Sequence, residues 1–177
     1  FASVPETSYV TRVLTSWHEV NTLYAVFNNH WTGDYKPYVA RSTDLGRTWT
    51  SIAANLPARG SAWTIAEDPR NRNLLFVGTE FGVFTSVDGG AKWIQIKGGL
   101  PTIQVRDMAI QSRHNDLAIA TFGRGFYILD DYSPLRTLTP EVIASSAHLF
   151  PARPALLLSQ SAALGVTGVS FQAAGHY

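Results

Sequence analysis

The chain has 177 residues, of which 45% are hydrophobic and 15% are charged, and its formal net charge is +1 at pH 7. This composition supports a buried core and excludes disorder throughout, while the small net charge does not indicate nucleic acid as a partner. The absence of cysteine excludes disulfides and thiolate metal sites, and no apolar run approaches the roughly 20 residues of a membrane span.

After an irregular segment at 1–8, the chain repeats a cycle of short β-rich runs separated by turn-forming residues. The cycles cover about 9–54, 61–97 and 104–131. The predicted strands are 9–14, 23–27, 38–41 and 49–52 in the first cycle, 62–66, 74–78, 83–85 and 93–96 in the second, and 105–110, 117–120 and 126–129 in the third. Asn21, Asn73 and Asn115 precede the second strand of each cycle, and the longer first cycle owes its extra length largely to a polar loop at 28–36.

The same turn motif, S-x-D-x-G-x-x-W, joins the last two strands of the first two cycles. Its residues are Ser42, Asp44, Gly46 and Trp49 in the first copy, and Ser86, Asp88, Gly90 and Trp93 in the second. The aspartate can accept hydrogen bonds from backbone N–H groups, the glycine can adopt positive φ, and the tryptophan can pack its ring under the turn. These residues are therefore predicted to be structural, and the motif is absent after the third cycle.

Four short antiparallel strands at a period of ~40–45 residues are typical of β-propeller blades. The sequence predicts an all-β fold of three such blades, within 9–133, that form an incomplete ring. Because each blade needs a neighbour on both faces, we expect self-association or the remaining blades of a larger protein.

The segment that follows the blades has a different composition. A short helix is predicted at 140–145, with Thr139 as N-cap and Pro140 at the first helical position, and a strand at 147–150 completes the segment 134–150. Residues 151–177 are rich in proline, alanine, leucine and glycine and are predicted to be an extended tail or linker, with a lone strand at 166–171.

Both turns resemble the Asp-box of bacterial neuraminidase (BNR) repeats, and longer runs resemble the propellers of bacterial sortilin/VPS10-type proteins, which are often labelled glycosyl hydrolases. The runs are 67–82 and 120–131, and the resemblance covers roughly 9–150. It implies a propeller from a larger, extracytoplasmic protein, periplasmic or secreted. It does not imply catalysis, because the Asp-box occurs in enzymes and in binding proteins alike.

The loops that join the second and third strands are expected to share one face of the propeller, near its axis, where ligands commonly gather. The candidate ligand-binding residues are Asn28, His30, Trp31, Tyr35, Arg106 and Arg124. Aromatic side chains can stack on sugar rings or peptide side chains, and arginines can bind a carboxylate such as that of a sialic acid. Alternatively, Trp31 covers its own blade and Arg124 satisfies carbonyls at a blade junction.

Asp34 and Glu80 are the candidate catalytic residues, because a carboxylate pair held at ~5–10 Å can hydrolyse a glycosidic bond. Ordinary turn chemistry is the alternative for both side chains. The five histidines show no ligand spacing, so neither a metal nor a cofactor is predicted. The sequence favours a binding scaffold for a peptide or glycan, and the alternative is a BNR/sialidase-like glycoside hydrolase completed by further blades or by a second subunit.

Overall fold

The computed structural model describes residues 4–152, 160–162 and 169–171, and it is an all-β protein built from antiparallel sheets. Three sheets follow one another along the chain, and in each the strands pair in sequence order. Blade 1 comprises β1 (Tyr9–Thr15), β2 (Leu23–Asn29), β3 (Asp34–Ser42) and β4 (Thr50–Ser51). Blade 2 comprises β5 (Ala62–Glu67), β6 (Leu75–Thr79), β7 (Gly82–Ser86) and β8 (Ile94–Gln95), and blade 3 comprises β9 (Val105–Gln111), β10 (Asp116–Thr121) and β11 (Phe126–Leu129).

Blade 2 lies between the other two blades because both of its faces are apolar. Its residues Ile65, Leu75 and Val77 pack against Val26 and Val39 of blade 1. On the other face, a second buried cluster joins blades 2 and 3; it comprises Leu74, Phe76, Val83, Val105, Met108, Leu117 and Ile119. The alternation of side chains along the strands supplies both faces.

Gly78 marks the closest approach of blades 2 and 3. A Cβ atom at this position would lie 2.7 Å from Thr64 Cγ2 and 2.7 Å from Val105 Cγ1. Only glycine therefore fits β6 here without displacing the inner strand of the next blade.

The two repeated turns have the same hydrogen bonds. Ser42 Oγ and Ser86 Oγ each bond the following aspartate, at 2.8 and 2.7 Å, and each accepts the N–H of the glycine four residues on, at 2.8 Å. Gly46 and Gly90 adopt φ of 84° and 95°. The backbone thus requires the glycines, and the serines close the turns.

The tryptophans of the two turns differ in their partners. The indole N–H of Trp49 donates to the carbonyl of Gly46 in its own turn at 2.9 Å. Trp93 instead reaches the preceding blade, where its indole N–H donates to the carbonyl of Ile52 at 2.7 Å and its backbone N–H donates to Asn55 Oδ1. The second turn therefore also fastens blade 2 to blade 1.

Several details differ from the sequence-based expectations. The loop predicted at 28–36 is shorter, because β2 runs to Asn29 and β3 begins at Asp34, with a 3-10 turn at His30–Thr32 between them. The helix is Pro140–Ala144, and Thr139 Oγ1 accepts the N–H of Val142 at its start. The strand predicted at 147–150 is wrong, since these residues are irregular. Val169–Phe171 is not a lone strand, because it pairs with Gln160–Ala162.

Blade 3 ends without a fourth strand in the described part of the chain. After β11 the backbone forms a 3-10 turn at Ser133–Thr137, and Tyr132 packs against Phe76 of blade 2. The three blades therefore form an incomplete ring, as the sequence predicts. No helix among the described residues is long and apolar enough to cross a membrane.

Candidate functional site

The up-and-down order of the strands places three kinds of segment at one edge of the sheets. These are the loops between the second and third strands, the segments that join blades, and the beginnings of the inner strands β5 and β9. We call this edge the loop face. It contains the candidate residues from all three blades.

A continuous series of stacked side chains crosses the loop face, and we call it the stacked row. Its members, in order, are Trp31, His30, Trp63, Arg106 and Phe122. The ring centroid of His30 lies 4.8 Å from that of Trp31 and 5.4 Å from that of Trp63. The guanidinium carbon of Arg106 lies 3.8 Å from the Trp63 centroid and 5.9 Å from the Phe122 centroid. The row therefore links blades 1, 2 and 3 through ring and cation–π contacts.

The two ends of the stacked row are open to solvent. Trp31 is 85% exposed and Phe122 is 67% exposed. Trp31 therefore does not cover its own blade, which was the alternative from the sequence. Other aromatic side chains, such as Trp17 at 70%, are also exposed, so the row is distinguished by its continuous contacts across three blades and not by exposure alone.

A β-bulge in each inner strand places the centre of the row. In the pairing of β5 with β6 the register skips Trp63, and in the pairing of β9 with β10 it skips Arg106. The corresponding residue of β1 is Thr11, which is also skipped. Because a bulge turns a side chain out of the regular alternation, Trp63 and Arg106 point toward each other at the loop face.

The residues that follow the three bulges form a polar layer beside the row. Arg12 Nη1 lies 3.2 Å from Asp107 Oδ1, and the Thr64 hydroxyl donates to the same oxygen at 3.3 Å. The backbone N–H of Met108 also donates to it at 2.8 Å. This layer ties the inner strands of the three blades together.

Asn28 supports the row and does not face solvent. Its side chain is buried, and its Oδ1 accepts the backbone N–H of His30 at 3.0 Å and also contacts His30 Nδ1. Asn28 Oδ1 therefore holds the imidazole of His30, while Asn28 Nδ2 is buried and has no hydrogen-bond partner among the described residues.

Asp34 begins β3 and is tied to its own strand. The Tyr38 hydroxyl donates to Asp34 Oδ2 at 2.6 Å, and the backbone N–H of Lys36 donates to Oδ1 at 3.1 Å. The Tyr38 bond is the largest influence that lowers the pKa of the Asp34 carboxyl below its usual value. The carboxylate raises the pKa of Tyr38 in turn, to about 12, together with burial as the larger cause. Asp34 is consequently a carboxylate at neutral pH and unsuited to act as a general acid.

The other predicted residues lie on the loop face outside the row. Tyr35 is partly exposed, and the guanidinium of Arg59 lies 5.8 Å from its ring centroid. Glu80 follows β6, and Arg124 lies in the β10–β11 loop between two glycines of positive φ. In the described part of the chain neither side chain contacts the stacked row. The structure therefore brings His30, Trp31 and Arg106 together and leaves Tyr35, Glu80 and Arg124 apart from them.

Two members of the row, Trp63 and Phe122, are not among the residues predicted from the sequence. Trp63 has the alternation of an ordinary strand residue, and Phe122 precedes a glycine-rich turn. Only the bulges and the adjacency of the blades bring them beside Arg106. The sequence carries no local signal for either residue, because the bulges depend on how the strands pair.

Two buried carboxylates at the edge of the sheets opposite the loop face are also not predicted from the sequence. Glu67 accepts the hydroxyls of Ser16 and Tyr24, each at 2.9 Å, and burial, followed by the nearby Glu67 charge, raises the pKa of Tyr24. Asp68 forms an ion pair with Arg136 at 2.7 Å. These acids join the blades. No group of three or more potential metal ligands occurs among the described residues.

Comparisons with known proteins identify β-propeller relatives. A xyloglucanase of Hypocrea jecorina is 28% identical over 86 residues, which are 44% of this chain and 10% of that protein. Xyloglucanase Xgh74A of Acetivibrio thermocellus is 30% identical over 99 residues, which are 50% of this chain and 12% of that protein. The chain thus spans about a tenth of the length of these relatives.

No protein family model matches the chain. Among solved structures, an ancestral GH74 enzyme is similar over 65% of this chain and 14% of its own, with a TM-score of 0.52 and 24% identity. At this level of identity the likeness concerns the fold. Together with the observed sheets, it identifies the chain as a three-blade segment of a β-propeller.

Proposed function

We propose that this chain is part of a larger β-propeller protein and that its loop face binds a glycan. The stacked row carries the proposal, because it crosses three blades and exposes a tryptophan and a phenylalanine at its ends. The face of an aromatic ring attracts the weakly positive C–H groups of a sugar ring. An elongated ligand can use both ends of the row at once.

The names of the relatives support a polysaccharide over a peptide. The two relatives described above are xyloglucanases, so xyloglucan is the first ligand to test. Membership of the BNR and sortilin/VPS10-type propellers is part of the same proposal. It rests on the two turns and on the two longer runs of sequence.

Further blades are the partners that the fold favours. The outward face of blade 3 presents Ala109, Ala118 and Ala120, with Phe126 80% exposed beside them. A propeller blade normally buries such a face against the next blade. We propose that further blades of the same protein, or a second copy of the chain, cover it.

Substitution of the two exposed rings tests the proposed function. We expect Trp31→Ala and Phe122→Ala each to weaken binding of xyloglucan oligosaccharides by about two- to tenfold, as the loss of one stacking contact of ~0.5–1.5 kcal/mol implies. Isothermal titration calorimetry of the chain measures the change. Val20→Ala is the matched control, because Val20 is also exposed but lies in the β1–β2 loop at the opposite edge. Equal affinity of all four proteins would refute glycan binding by the row.

Glycoside hydrolysis is the second candidate, and the names of the relatives favour it. Asp34 is ionised at neutral pH and suits a nucleophile or base, which leaves Glu80 or a residue of another blade as the acid. Release of reducing sugar from xyloglucan measures the activity. Loss of turnover in Asp34→Asn or Glu80→Gln would favour the hydrolase, and turnover unchanged by both substitutions would exclude these residues from catalysis.

A further inference from the structure

We infer that Arg106 is a carboxylate-binding residue and that the glycan bound at the loop face is acidic, with uronic acid units. The inference rests on the proposed function and specifies its ligand. Three observations carry it: the stacking of the guanidinium, its lack of an internal partner, and the aromatic ring beside it.

Aromatic rings hold the planar guanidinium of Arg106 in place. The guanidinium carbon is 3.8 Å from the Trp63 centroid, and the Phe122 ring lies 5.9 Å away. At 3.8 Å a planar guanidinium stacks on the indole, so its N–H bonds point sideways, away from the ring. The bulge that turns Arg106 out of β9 also limits its backbone. The group is therefore oriented before any ligand arrives, which reduces the entropic cost of binding.

The N–H groups of Arg106 have no internal acceptor in the described part of the chain. Oδ1 of Asp107, the adjacent carboxylate, is already contacted by Arg12, Thr64 and the backbone N–H of Met108. Arg136 provides a contrast, because its guanidinium bonds Asp68, Asn115 and the Tyr132 hydroxyl. The guanidinium of Arg136 is thus occupied by the protein, whereas Arg106 keeps its donors for an external acceptor.

Charged groups of both signs surround Arg106. Arg59, Arg124 and Lys36 are further cations of the loop face, and its carboxylates include Asp34, Glu80 and Asp107, of which Asp107 is paired with Arg12. The lowered pKa of Asp34 keeps that group negative at neutral pH. A single carboxylate at Arg106 gains a bidentate, charge-assisted pair of hydrogen bonds, so one uronate unit at this position is enough for recognition.

A uronic acid satisfies both parts of the site. Its carboxylate can lie in the plane of the guanidinium, and its pyranose ring can stack on the exposed ring of Phe122, which lies beside Arg106. An acidic peptide also supplies carboxylates, but it lacks rigid rings that match the exposed aromatic surface. The observations therefore favour an acidic glycan.

The decisive measurement compares tetragalacturonate with the same oligosaccharide after reduction of its carboxyl groups to alcohols. We expect the chain to bind tetragalacturonate at least about tenfold more tightly than the reduced form, since hydrogen bonds to charged groups are worth ~1.5–3 kcal/mol. Arg106→Gln should remove this preference, so that the ratio of the affinities for tetragalacturonate and the reduced form falls to about one. Arg106→Lys keeps the charge but loses the bidentate geometry, and it should restore only part of the preference.

Arg124→Gln is the matched control, because it removes the same charge from the same face at a side chain outside the row. It should keep the preference for tetragalacturonate. If Arg124→Gln and Arg106→Gln reduced the preference for tetragalacturonate equally, the inference would be overturned, because general electrostatic attraction would then explain the preference. If a polyglutamate peptide bound more tightly than tetragalacturonate, the assignment of the ligand as a glycan would be wrong.

The failure of this inference can be told from the failure of the proposed function. If xyloglucan or the reduced oligosaccharide binds and tetragalacturonate binds no better, then the loop face is a glycan site and the role of Arg106 is refuted. If none of the three glycans binds to the folded chain, then the proposed function itself is refuted.

Discussion

At the scale of single residues, Asp44 and Asp88 occupy equivalent places in the two repeated turns but differ in one hydrogen bond. Both accept the backbone N–H four residues ahead, at 2.8 and 2.9 Å. Asp44 also accepts the Thr48 hydroxyl at 2.6 Å, whereas the second turn has Lys92 at this place. The Thr48 hydroxyl is the largest cause that lowers the pKa of Asp44, to about 2.

Replacement of Thr48 should make the first turn less sensitive to acid. The folded chain holds the pKa of Asp44 below its unfolded value of about 3.9, so this stability is complete above pH ~4 and is lost as the pH falls toward 2. We expect Thr48→Val to raise the pKa of Asp44 toward its unfolded value, as measured by NMR titration of the carboxyl carbon, and so to reduce the stability that is lost between pH ~4 and pH ~2. The matched variant Lys92→Val should leave the Asp44 titration unchanged. A pKa of Asp44 that is unaffected by Thr48→Val would contradict the assignment.

At the scale of elements, blade 3 lacks the repeated turn but keeps one of its contacts. The carbonyls of Asn21 and Asn73 accept the backbone N–H groups of Leu45 and Gly89 in the two turns, at 3.0 and 2.9 Å. In blade 3 the carbonyl of Asn115 accepts the N–H of Tyr132, at 2.9 Å. The Tyr132 segment thus begins where a turn would stand, and the chain then forms the 3-10 turn at Ser133–Thr137 in place of a fourth strand.

The buried pair of Asp68 and Arg136 fastens that 3-10 turn to blade 2. Burial alone would raise the pKa of Asp68, but the hydrogen bonds from Arg136 and from the backbone N–H groups of Arg70 and Asn71 lower it below its usual value. The pair therefore contributes stability above the unfolded pKa of about 3.9, and this is lost as the pH falls through the folded value.

Asp68→Asn should destabilise the chain by about 3 kcal/mol or more, because it leaves the guanidinium of Arg136 largely buried without its charge partner. Urea denaturation measures the loss, and Asp68→Asn with Arg136→Met should lose less than the sum of the single variants. Arg72→Met breaks an exposed ion pair with Glu19 and is the matched control, with an expected change of at most about 1 kcal/mol. Equal effects of Asp68→Asn and Arg72→Met would refute the role of the buried pair.

The sequence predicts the elements better than the contacts between them. The alternation of apolar residues and the two turn motifs locate the eleven blade strands, since both signals are local. The bulges at Trp63 and Arg106 leave no such signal, because they depend on how the inner strands pair with their neighbours. The strand expected at 147–150 fails for a related reason, since a short apolar run forms a strand only when a partner strand is adjacent.

At the scale of the whole molecule, the outward face and outer edge of blade 3 are uncovered. Phe126 and Ile128 are exposed on β11, and within the described residues no strand pairs with the outer edge of β11. An apolar face beside an unpaired strand edge promotes association.

We expect the chain to self-associate when its concentration rises, and we expect Phe126→Asp to reduce the association by placing a charge on this face. Size-exclusion chromatography with light scattering measures the mass across a range of concentrations. Val20→Asp adds the same charge at another exposed apolar residue, outside this face, and should leave the association unchanged. A wild-type chain that stays monomeric at every concentration would contradict the prediction.

The sequence by itself determined the blades of this protein, because strand alternation and the geometry of the Ser–Asp–Gly–Trp turn depend on residues close together in the chain. It also indicated the loop face and three members of the stacked row, His30, Trp31 and Arg106. Only the tertiary structure decided that Trp63 and Phe122 join them and that Asn28 is buried beneath. The positions of these side chains depend on bulges and on contacts between blades, because residues distant in sequence come into contact only after the sheets have packed.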